Sequence, residues 1–156
     1  MLREFRRAAH APEFSNPDLG VIATKAPRAV ICLISALAFH GITNQIPRVV
    51  HVAVPKGRYA GLKLGSPPVQ VYRFDAATFK RGMETHKIDG RPIRAYGVAR
   101  TVVDCLKFRN KIGLDIALAA LRFARTRKRV TNRELLEIAR ALRLDRVMRT
   151  YLEGVP

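Results

Sequence analysis

Two hydrophobic periods divide this sequence, and they do not alternate along it. Strand-like segments are confined to residues 49–96, whereas after Gly97 the apolar residues recur at helical spacing. Helices also precede the strands, so the order is helices, four strands, then four helices. That order predicts an α+β fold and excludes repeated βαβ units. The expected architecture is N-terminal helices, a four-stranded mostly antiparallel sheet ending in a hairpin, and a four-helix C-terminal segment. At 156 residues, one domain is expected. Residues 1–17 read as an irregular tail, with Pro12 and Pro17 flanking Ser15 and Asn16, and residues 18–156 read as the domain.

Local signals place the elements. Asn16-Pro-Asp-Leu starts a short helix with Pro17 at its first position. Pro27 predicts the start of a second helix over 28–40, closed by Gly41. That helix is apolar nearly all round, as a buried helix is. Val49-Val-His-Val-Ala-Val54 is rich in β-branched residues and reads as a strand ending at Pro55. Residues 56–68, with Gly57, Gly61, Gly65 and Pro67-Pro68, read as loop. Residues 69–74 alternate apolar and polar side chains, and 83–88 and 91–96 form a hairpin around Asp89-Gly90. Pro92 has no N–H for a ladder, which predicts that the last strand lies at an edge. Helices are expected over 98–108, 114–127, from the Thr131-Asn-Arg-Glu134 capping box to about 142, and 146–153 with Asp145 as its cap. Trp is absent, so the core must come mainly from Leu, Ile, Val and Ala.

Charge is the property that bears on function. Lys and Arg number 29 against 12 Asp and Glu, a net charge of +17. Such an imbalance repels itself in the compact state and attracts polyanions at long range. Arg122, Arg125, Lys128, Arg129, Arg133, Arg140 and Arg143 are the candidate polyanion-binding residues. Arg122, Arg125 and Arg129 would share a face if their helix extends so far, and Arg133, Arg140 and Arg143 can line one side of the next. Arginine's planar fork suits phosphate or carboxylate pairing. The alternative is a solvated basic face with no partner.

Catalysis finds little support. Ser35 and His40 share a helix but point about 140° apart at five-residue separation, so they cannot form a nucleophile–base pair. His40, near a helix end, reads as a dipole-stabilised or hydrogen-bonded histidine. Glu84-Thr-His86, with Lys87 on the opposite strand face, only faintly resembles the carboxylate pattern of a metal-dependent nuclease. Cys32 and Cys105 belong to no CxxC or Cys/His cluster and read as buried free thiols. No metal, no cofactor and no enzymatic activity are expected. No signal peptide is visible, and the longest apolar run is well short of the ~20 residues that span a bilayer. A cytoplasmic protein without a membrane partner is the expectation.

Three stretches together resemble one family. They are Pro27-Arg-Ala-Val-Ile-Cys-Leu-Ile-Ser-Ala-Leu-Ala-Phe-His-Gly41 leading into Thr43-Asn-Gln-Ile-Pro47, the hairpin Glu84-Thr-His-Lys-Ile-Asp-Gly-Arg-Pro-Ile-Arg94, and Ala99-Arg-Thr-Val-Val-Asp-Cys-Leu-Lys-Phe-Arg-Asn-Lys-Ile-Gly-Leu-Asp115. These resemble the C-terminal domain of AbiEi-type antitoxins, the transcriptional regulators of type IV toxin–antitoxin systems, over roughly residues 19–152. The resemblance implies an antitoxin opposing a nucleotidyltransferase toxin, and usually also a DNA-binding repressor of its own operon. Members of that family begin with a winged helix-turn-helix; here Phe5-Arg-Arg-Ala8 resembles the last strand of a wing with no body before it. A stand-alone basic nucleic-acid-binding protein is the alternative. Within the third stretch, Thr101 and Asp104 are expected to cap the helix start, and Asp104 to pair with Arg100 or Lys107.

Overall fold

The computed structural model describes residues 17–57 and 65–155 of the chain. The expected wing remnant at Phe5–Ala8 lies outside the described residues. Pro17 opens helix α1 (Pro17–Lys25), which buries Leu19 and Ile22. Beyond it the expected helix over 28–40 divides in two. Val30–Ile31 form a two-residue strand, β1, and only Leu33–His40 are helical, as α2. Pro27 occupies the second position of a turn closed by the Ala29 N–H on the Ala26 carbonyl, 3.0 Å, instead of the first position of a helix. Leu33 then takes φ 48°, a left-handed conformation that turns the chain sharply from strand into helix. Gly41 ends α2 at φ 70°, as its position predicts.

The remaining strands are β2 (Val50–Pro55), β3 (Val69–Phe74), β4 (Met83–Ile88) and β5 (Arg91–Tyr96). The sheet therefore has five strands, not four, in the order β3-β2-β1-β5-β4. It is also mixed: β1 runs antiparallel to β2 and parallel to β5, and β2 runs parallel to β3. The expectation of a mostly antiparallel sheet fails because β1 inserts parallel to β5 and because β3 lies parallel to β2. Only the β4–β5 hairpin and the β1–β2 pair are antiparallel. The edge position expected for β5 belongs to β4. Pro92 is nonetheless accommodated, because β1 pairs with β5 only at Arg94 and Ala95, leaving nothing for Pro92 to donate to on that side.

Five helices, not four, follow the sheet: α4 (Val98–Lys107), α5 (Arg109–Ile112), α6 (Leu114–Thr126), α7 (Asn132–Ala141) and α8 (Asp145–Gly154). The extra one is α5, a single turn set off by Gly113 at φ 104°. A further helix, α3 (Ala76–Lys80), sits between β3 and β4, capped by the Asp75 carboxylate, which accepts from the Thr78 N–H at 2.9 Å. That makes eight helices among the described residues. The α7 capping box forms as its sequence predicts, with Thr131 and Glu134 exchanging side-chain and backbone bonds.

The sheet carries a core on each face. On one, Leu19 and Ile22 of α1 meet Val50, Val52, Val54, Ile93 and Ala95. On the other, Ala53, Tyr72, Phe74 and Tyr96 meet Val102, Leu106, Leu121, Leu135 and Met148 from the C-terminal helices. Alternate residues of β2 thus serve both layers, which is why that strand reads as continuously apolar. No helix among the described residues is long and apolar enough to cross a membrane.

Candidate nucleic-acid interface

The basic residues of the C-terminal helices separate by what their side chains touch. Arg122 is exposed on α6, and Arg140 on α7. Arg133 is 90% exposed and pairs loosely with Glu137, 3.3 Å away across one helical turn. Arg125 is half-buried, its Nη1 donating to the Val155 carbonyl beyond α8. Arg129 is also half-buried, and its charge bears on His40 of α2. Because α6 ends at Thr126, Arg129 does not continue the face of Arg122 and Arg125.

Lys128 and Arg143 hold an unexpected post. Both are exposed and both take positive φ, 55° and 62°, immediately after helices α6 and α7. In each case the following N–H reaches back over the last turn: Arg129 N–H to Ala124 O at 2.8 Å, and Leu144 N–H to Ala139 O at 2.7 Å. The Lys128 and Arg143 N–H groups bond Arg125 O and Arg140 O, at 3.0 and 3.1 Å. Both corners are Schellman caps in which a cation replaces the usual glycine. The positive side chain suits the negative helix end, which offsets part of the left-handed strain.

Beneath these helices lies a buried polar centre. Arg100 and Asp104, both on α4 and both fully buried, pair through Nε and Oδ2 at 2.8 Å. Arg100 Nη1 donates to the carbonyls of Thr78 and Arg81, 2.5 and 2.6 Å, tying down the end of α3. Its guanidinium lies 4.0 Å from the Tyr96 ring centre and 4.8 Å from that of Phe74. Among the described residues, Asp104 Oδ1 and Arg100 Nη2 have no hydrogen-bond partner. One charge-assisted bond does not repay the burial, so the Asp104 carboxyl is pushed up to about 6 in spite of Arg100. The expected capping by Asp104 and Thr101 is not found: Gly97 occupies the N-cap, and the Thr101 hydroxyl donates to Tyr96 O at 3.2 Å. Both cysteines are free and buried, and burial, followed by the nearby Asp104 carboxylate, pushes both thiols well up. Neither has the thiolate character of a nucleophile.

The histidines are likewise held by the fold. His40 bonds the Tyr96 carbonyl through Nε2 at 2.8 Å, and burial lowers its pKa to about 4. His86 pairs with Glu84 at 2.8 Å and packs edge-on to Phe39. The Glu84 carboxylate lies against Gly97, where a Cβ would meet Oε2 at 2.5 Å. Ser35, far from His40 in direction, accepts the His51 N–H at 2.9 Å. Among the described residues no three His, Cys, Asp or Glu side chains are grouped so as to hold a metal ion. No protein-family model matches the chain, and no curated protein matches its sequence.

Proposed function

We propose that this is a regulatory nucleic-acid-binding protein of antitoxin type, acting without chemistry of its own. In this reading it opposes a nucleotidyltransferase toxin in the cytoplasm and represses its own operon. The observation that carries the nucleic-acid half is the surplus of exposed cations at the ends of α6 and α7. Arg122, Lys128, Arg140 and Arg143 are all exposed, and Arg133 is exposed beside Glu137. At +17 overall, such a surface favours a polyanion over plain solvent. The antitoxin half rests on the resemblance of the three stretches quoted above.

Co-expression with a nucleotidyltransferase toxin tests the proposal. Rescue of growth by the wild-type chain is expected. Binding of DNA without rescue would reassign the chain as a stand-alone nucleic-acid-binding protein. Metal-dependent nucleic-acid cleavage that disappears in Glu84→Ala would make it an enzyme instead.

A further inference from the structure

We propose that Lys56, Lys107 and Lys111 form a phosphate-contacting ridge for duplex DNA, continuous with the Arg143 corner. The inference rests on the nucleic-acid reading above and adds residues that no run of sequence joins. Lys56 follows β2, Lys107 ends α4 and Lys111 lies in α5. The fold seats Lys107 and Lys111 over three aromatic rings, and the Lys56 N–H bonds the carbonyl of one of them, Phe74, at 2.8 Å. Lys107 Nζ is 5.2 Å from the centre of Phe74 and 5.5 Å from that of Phe108. Lys111 Nζ is 5.8 Å from both Tyr72 and Phe108. Two ammonium groups over one Phe108 ring are separated by no more than about three steps of a DNA strand, at roughly 3.4 Å of rise each.

The neighbourhood offers these cations little neutralisation. Among the described residues none of the three has a carboxylate at salt-bridge distance. Asp75 is near enough to feel Lys56 and Lys107, but its carboxylate is engaged by the Thr78 N–H and hydroxyl. Lys107 also lines a shallow apolar depression with Leu144 and Val147, which sets it beside the α7–α8 corner whose first exposed residue is Arg143.

The same geometry selects the ligand. A lysine seated over an aromatic face has surrendered part of its rotamer freedom before it meets a phosphate, which lowers the cost of binding. The rings are not available to bases, however. Tyr72 and Phe74 are buried and Phe108 is half-buried under the ammonium groups. The large apolar side chains exposed among the described residues, Ile46 and Leu114, are not aromatic. Single-strand binders stack bases on open rings, and among the described residues this ridge offers none. It fits the backbone of a duplex, read without regard to sequence.

Fluorescence anisotropy of a labelled duplex of arbitrary sequence, titrated between about 50 and 200 mM salt, decides the matter. Replacing all three lysines by Gln should flatten the slope of log K against log salt by about 2.7, at roughly 0.9 per phosphate contact. Replacing them by Arg should preserve the slope. Phe108→Leu should weaken binding with the slope intact, because it removes the seat and keeps the charges. If the wild type binds and the triple Gln variant keeps its slope, the ridge is wrong and the nucleic-acid reading survives. If the wild type does not bind at the lowest salt, both fall. Tighter binding of a single strand overturns the duplex assignment. So does loss of binding to phosphatidylserine vesicles, but not to duplex, in the triple Gln variant.

Discussion

Gly82 shows how closely the buried Arg100 is fitted. It sits before β4 at φ 75°, and a Cβ built on it would lie 2.7 Å from Arg100 Cβ and 3.7 Å from Ile138 Cδ1. Arg100 cannot give way easily, because its guanidinium is bonded to Asp104, Thr78 and Arg81 at once. Gly82→Ala should therefore lose about 3 kcal/mol, from left-handed strain plus overpacking. Gly90→Ala, at φ 79° in the hairpin turn with nothing within 4 Å of the new Cβ, should lose only about 1 kcal/mol. Urea unfolding of the two variants separates backbone strain from crowding. Equal losses would mean that Arg100 moves freely and that its bonds to the α3 carbonyls do not fix α4 in place.

At the scale of elements, the two cationic Schellman corners make stability and binding separable. Arg143→Gly relieves a left-handed arginine but adds freedom to the unfolded chain, so a net gain of about 0.5 kcal/mol is expected. Arg143→Ile should lose stability, since a β-branched residue is poorly suited to positive φ. Both variants remove the same charge and should weaken DNA binding alike, which urea unfolding and anisotropy would show together. These corners also mark what was legible. The β4–β5 hairpin, the α7 capping box and the Gly41 stop rest on interactions within a few residues, and all are visible as spacing. β1 is not: two residues make no period, and Val30–Ile31 are a strand only because β2 and β5, distant in sequence, flank them. With β1 hidden, the fifth strand, the parallel β1–β5 pairing and the interior place of Pro92 are hidden too. The candidate site divides the same way. The arginine run is plain in sequence, and so is the four-residue spacing of Arg100 and Asp104. The burial of that pair, and the meeting of Lys107 and Lys111 over the Phe108 ring, exist only once the chain is folded.

Across the whole molecule, two buried groups on different elements oppose each other as pH changes. His40 is faced by Glu84, His86 and Arg129, and its pKa is lowered by burial to about 4 from 6.5. Between those values the unfolded chain takes up a proton that the native one refuses, so this group makes stability fall as pH falls. Asp104, faced by Arg100, Lys107 and the two thiols, is raised to about 6 from 3.8. Here the native chain holds the proton that the unfolded one releases, so stability is present at low pH and is lost as pH rises through 6. Each slope is about 1.4 kcal/mol per pH unit, and between pH 4 and 6 they nearly cancel. His51, lowered by burial, tilts the balance toward greater stability at higher pH. The wild-type chain should accordingly show a shallow stability profile in urea titrations over that range. Asp104→Asn removes one side of the balance, and its stability should climb by about 3 kcal/mol from pH 4 to 6. His40→Gln removes the other, and its profile should flatten or fall as pH rises. If Asp104→Asn instead follows the wild-type profile, the attraction of Arg100 outweighs burial at Asp104, and the orphaned Oδ1 does not control its proton.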